Sequence, residues 1–164
     1  MAQQLINNGT IAGDGTGEVL FSAFTKANDN FTELYSRIKE VKVTVTASQL
    51  KDLIANPKSI IPTAGANKVI KIIAITGFLD FGTAIFDFVS NLKFQYETSG
   101  IVINEGTYAD WNAHADLFFD IDKTASSGGE LSANEGVVLT VATDATVGDS
   151  TVTIVALYSE QDFS

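Results

Sequence analysis

"FTELYSRIKEVKVTVT", residues 31–46, changes its hydrophobic period part-way along. Up to Ile38 the apolar residues fall every third or fourth position, the spacing of one helix face. From Val41 they fall every second position, with Val41, Val43 and Val45 separated by Lys42 and Thr44, the spacing of a half-buried strand. A helix therefore hands over to sheet near residue 41, and the rest of the chain divides around that point. Residues 1–40 read as an N-terminal arm and helix, and residues 41–164 as a β domain.

Upstream, the apolar positions are Leu20, Phe24, Ala27, Phe31, Leu34, Ile38 and Val41, spaced 4, 3, 4, 3, 4 and 3. Two apolar residues per seven is the seam of a coiled coil, and Ala27 is its thinnest layer. The opposite face, which includes Lys26, Asp29, Glu33 and Lys39, is polar. "GDGTG" at 13–17 supplies a flexible lead-in, Thr16 is a candidate cap, and Glu18 suits the positive end of a helix dipole. A narrow stripe must be covered to be stable, and its terminal position favours packing against copies of itself.

Downstream, "TASQLKDLIANP" at 46–57 reads as a short helix capped by Thr46 or Ser48 and closed before Pro57. Short strand patterns follow at 59–63, 68–78, 83–89, 92–98, 100–104, 116–122, 136–143 and 150–158, each ending near Gly, Asn, Asp or Ser. Pro62 marks the first of these as an edge. "TVGDST" at 146–151 reads as a hairpin loop joining the last two strands. Many short strands with frequent turns and no long helix between them predict a mainly β fold, an antiparallel β-sandwich of jelly-roll type.

The composition agrees with a folded chain. Of 164 residues 45% are hydrophobic and eleven are Phe, which is enough to build a core. There is no cysteine, so disulfides and thiolate metal sites are excluded. The N-terminus has neither the charge pattern nor the apolar run of a secretory signal, and no stretch is apolar for long enough to span a membrane as a helix. The glycosylation patterns at Asn8 and Asn30 are accordingly read as accidental. The formal charge of -10 is concentrated in residues 94–164, where Lys123 faces twelve acidic residues. Such a surface repels phosphate backbones and excludes nucleic acid as a partner.

No reaction emerges from the remaining residues. Gly13, Gly15 and Gly17 do not form a dinucleotide or P-loop pattern. His114 is the only histidine and lacks the companions of a triad or a zinc site. Asp116, Asp120 and Asp122 would share one face of an extended segment and could contribute to a calcium site, but a row of acids on a strand is more often a solvated face. Tyr108 and Trp111 are candidates for an aromatic ligand-binding platform, with packing at the end of the sandwich as the simpler role. No catalytic residue, cofactor or metal is expected.

The segment from Asp14 to Tyr35 also resembles one that recurs in structural proteins of tailed bacteriophages. Its pattern is matched by Asp14, Gly15, Thr16, Gly17, Ala23, Phe24, Lys26, Asn28, Asn30, Phe31, Glu33, Leu34 and Tyr35. It departs at Glu18, where Asp is usual, and at Ala27, where a larger aliphatic is common. Residues 44–158 are similar, more softly, to small phage β proteins with a short Leu-containing helix, an Ala-Gly-Ala turn and a strand rich in Val and Ile. The resemblance implies a non-enzymatic virion component of fibre, baseplate or capsid-decoration type, in a tail fibre or head fibre setting. It implies a homotrimer anchored by the arm and helix, with other virion proteins as partners. A receptor- or glycan-binding fibre tip, contacting a host-surface glycan, is the alternative.

Overall fold

The computed structural model describes residues 5–7, 15–17, 19–121 and 133–163, save the side chains of Leu34 and Ser36. The chain forms two compact units, Met1–Ile38 and Lys39–Ser164.

The first unit contains helix α1, Leu20–Arg37. Its N-cap is Val19, which makes no side-chain cap bond, so Thr16 does not take the capping role expected of it. Instead the Thr16 carbonyl accepts from Asn7 Nδ2 at 3.0 Å, and Lys26 Nζ donates to the Leu5 carbonyl at 3.1 Å. Residues 5–7 are thus tied to the polar side of α1. Near the C-terminus Arg37 pairs with Glu33 one turn earlier at 2.6 Å, a position that suits a cation at the negative end of the helix dipole. Glu18 lies outside the described residues.

Eight strands make up the second unit among the described residues. They are β1 Lys39–Val45, β2 Lys58–Ile61, β3 Lys68–Asp80, β4 Leu92–Tyr96, β5 Val102–Gly106, β6 Leu117–Asp120, β7 Val137–Val141 and β8 Thr151–Asp162. They form two antiparallel four-stranded sheets, ordered β1-β8-β3-β6 and β2-β7-β4-β5. Within a sheet the strand pairs 1 and 8, 3 and 6, 2 and 7, and 4 and 5 lie side by side, the order produced when one long hairpin rolls up into a jelly roll. The edge position of β2 fits Pro62 directly beyond it.

Alternation decides which side chains enter the core. On β8, Val152, Ile154, Ala156 and Tyr158 point inward while Thr151, Thr153 and Val155 face out. On β3 the phase changes: Ile70 and Ile72 are buried, then Ile75 and Leu79, because a bulge at Ile73 inserts one residue against β8. Among the described residues two side-chain hydrogen bonds tie the sheets across the apolar interior. Tyr96 Oη donates to the Ile70 carbonyl at 2.5 Å, and Asn104 Nδ2 donates to the Ile121 carbonyl at 2.9 Å.

Short helix α2, Ala47–Leu50, begins as predicted with a capping box: the Gln49 backbone N–H donates to Thr46 Oγ1, and the Thr46 N–H donates to Gln49 Oε1. Two expectations fail. Residues 83–89 form no strand, although Phe86 and Phe88 are both buried. Their neighbourhood meets side chains instead of a strand edge: Phe81 N–H donates to Asp116, Gly82 N–H to Ser150, Thr83 and Ala84 N–H to Asp149, and Phe88 N–H to Asn112. Nor is "TVGDST" a hairpin. β7 and β8 belong to opposite sheets, so residues 142–150 cross the end of the sandwich.

Candidate functional site

The most conspicuous feature of the first unit is the apolar face of α1. Leu20, Phe24, Phe31 and Ile38 are all solvent-exposed, Phe24 at 61% and Phe31 at 57%, with Ala27 half-buried between them. Leu34 lies in α1, its side chain outside the described residues. Val19, Phe21 and Tyr35 are exposed as well, which widens the stripe beyond a strict two-per-heptad seam. Val41 is placed differently: α1 ends at Arg37, and Val41 sits in β1, half-buried against the sandwich core. The exposed apolar face therefore ends at Ile38, because the extended backbone beyond it turns Val41 toward its own domain.

The two aromatic candidates of the β domain are not brought together as a platform. Helix α3, Tyr108–Trp111, follows β5 directly. Trp111 is 0% exposed and meets Phe119 edge-on at a centroid distance of 5.2 Å, over Gly106, where any side chain would collide with the indole. No face of that ring is open to a ligand. Tyr108 remains 47% exposed at the start of the helix.

The acidic residues serve loop structure where they are described. Asp149 accepts from the Thr83 hydroxyl at 2.6 Å and from the Thr83 and Ala84 N–H groups. Asp87 makes the reciprocal clamp, accepting from the Thr146 hydroxyl at 2.6 Å and from the Thr146 and Val147 N–H groups. These bonds, the threonine hydroxyls foremost, hold both carboxyls below the ordinary aspartate range. Neither clamp was legible in the sequence, since the partners are about sixty residues apart. Asp116 is engaged by Phe81 N–H, Asp120 lies on β6, and Asp122 is outside the described residues. Among the described residues no three acidic, histidine or cysteine groups converge in a metal-binding arrangement. His114 is exposed in the loop before β6.

Among the described residues no helix is long and apolar enough to cross a membrane. No curated protein matches the sequence. A solved structure described as the cyanophage Pam1 capsid asymmetric unit is similar over 75% of this chain and 83% of that one, at 14% identity and a TM-score of 0.46, a score too low to support a conclusion. The family model for bacteriophage T4 gp9/10-like protein, N-terminal, matches residues 3–161 and so takes in both units. With almost its whole length matched, the chain belongs to the bacteriophage T4 gp9/10-like N-terminal family and is a structural protein of the phage virion.

Proposed function

We propose that the protein is a non-enzymatic fibre or decoration component of the virion that assembles as a homotrimer through α1, with the acidic sandwich projecting from the assembly. The observation that carries this reading is the uncovered face of Leu20, Phe24, Phe31 and Ile38. Fully burying each such side chain is worth roughly 1.5–3 kcal/mol, so an exposed row of them is costly in water and favours a partner helix. A copy of the same helix supplies an apolar face of matching repeat at no further requirement on the partner. Threefold symmetry is preferred because phage fibres are commonly threefold. Residues 5–7, tied to the polar side of α1, leave the apolar side open for that packing, and the N-terminal arm and helix together would anchor the subunits to the particle.

Sedimentation at micromolar concentration tests the assembly. Three chain masses are expected, and a monomer with α1 folded would overturn the proposal. The glycan-tip reading is weaker, because burial of Trp111 leaves Tyr108 without its proposed aromatic companion.

A further inference from the structure

The four connections at one end of the sandwich form a single loop cluster. Residues 46–57 join β1 to β2, 81–91 join β3 to β4, 107–116 join β5 to β6, and 142–150 join β7 to β8. All four lie at the end where β1 and β3 finish and β8 begins, as the pairings Val45 with Val152 and Asp80 with Thr151 require. The chain enters the domain at the other end, at Lys39.

Each of these loops carries one large exposed apolar or aromatic side chain: Ile54, Val89, Tyr108 and Val147. Hydrogen bonds link the four loops to one another in turn. Ile54 N–H donates to Asp144, three residues before Val147. Val147 N–H donates to Asp87, two residues before Val89. Asn91, two residues after Val89, accepts from Tyr108 N–H. The cluster is also stiff. The two aspartate clamps join loop 81–91 to loop 142–150, and Asn112 both donates to the Phe88 carbonyl and accepts from its N–H. A surface already held in shape loses little conformational freedom when it binds.

Its charge selects the kind of partner. The four loops contain six aspartates and one lysine, Lys51, whose ammonium is engaged by the Gly148 carbonyl at 3.0 Å. That field repels nucleic acid, anionic lipid and a second copy of the same apex. Three of the four exposed side chains are aliphatic, which suits a protein surface better than a sugar, whose rings stack on aromatic faces. We propose that this apex docks a lysine- or arginine-rich protein surface with apolar recesses, on another protein of the virion. The site is independent of α1 self-association, which sedimentation reads separately.

The test uses assembled particles. A photoreactive benzoylphenylalanine is placed at position 89, where Val89 is 71% exposed, or as a control at position 63 in the exposed β2–β3 loop of the opposite end. Irradiation is expected to cross-link position 89, and not position 63, to a net-basic peptide of a different virion protein. The paired substitution Asp52→Lys and Asp110→Lys, which leaves the Asp87 and Asp149 clamps intact, is expected to lower that yield severalfold with the circular dichroism spectrum retained. The proposal is overturned by no cross-link from position 89, by equal yield from position 63, or by a cross-link to a second copy, a polysaccharide or an acidic peptide. A yield unaffected by the charge reversal, with the fold retained, overturns it as well.

Discussion

At the scale of single residues, backbone conformation and the aspartate clamps carry the sharpest expectations. Gly148 has φ +111°, and a Cβ there would lie 2.2 Å from Phe86 Cδ1. Gly148→Ala combines a left-handed strain with a collision in the core, and is expected to cost at least about 1–3 kcal/mol in urea unfolding. Phe86 cannot retreat easily, because it is buried beside Phe88 at a centroid distance of 5.4 Å. Asp87 and Asp149 predict a pH dependence. Their carboxyls titrate lower in the folded state than the ordinary value of about 3.9, so the stability they confer is complete above that value and declines as pH falls through the lowered folded values. The urea midpoint should fall below about pH 4. An Asp87→Asn, Asp149→Asn double variant should start lower at pH 6 and show a shallower decline; an unchanged decline would show that other groups dominate. A cap at Thr46 or Ser48 was readable from sequence, because capping acts over three residues, and the structure uses Thr46. The clamps were not, because a carboxylate's partners across a loop cluster exist only once the chain has folded.

At the scale of elements, α1 and the strands differ in how much they depend on their surroundings. The helix follows from a local spacing, and its C-terminus at Arg37 falls within a few residues of the change in period at Ile38–Val41. Phe24→Glu with Phe31→Glu removes two of the aromatic rings from the exposed face and leaves unchanged the sandwich core, whose buried side chains begin at Val45. The variant is expected to sediment as a monomer while the β unit retains its thermal transition; persistence of the oligomer would place the contact elsewhere. Strands were legible where side chains alternate, as on β1 and β8. The pattern misled at 83–89, where Phe86 and Phe88 alternate as strand residues do, yet Asp149, Asn112 and their neighbours satisfy the backbone. The bulge at Ile73 was equally hidden, since the run of isoleucines on β3 reads as buried in either phase.

At the scale of the whole molecule, the two sheets are held by side chains from both inner faces and by the cross-sheet hydrogen bonds of Tyr96 and Asn104. Tyr96→Phe removes the hydroxyl that satisfies the buried Ile70 carbonyl. A loss of about 1–3 kcal/mol is expected in chemical denaturation, and a smaller change would mean that the carbonyl finds another donor. Sequence alone determined the helix-to-sheet change near residue 41, the β character of the second unit and the candidate assembly face, because these rest on spacing between near neighbours. It also pointed to phage structural proteins through the segment beginning at Asp14. Only the tertiary structure decided that β7 and β8 part into opposite sheets, that Val41 faces its own domain, that Trp111 is sealed inside, and that four loops converge into one acidic, apolar-studded apex. Each depends on pairings between residues tens of positions apart, and such pairings are set by how both sheets close over a shared core rather than by any local pattern.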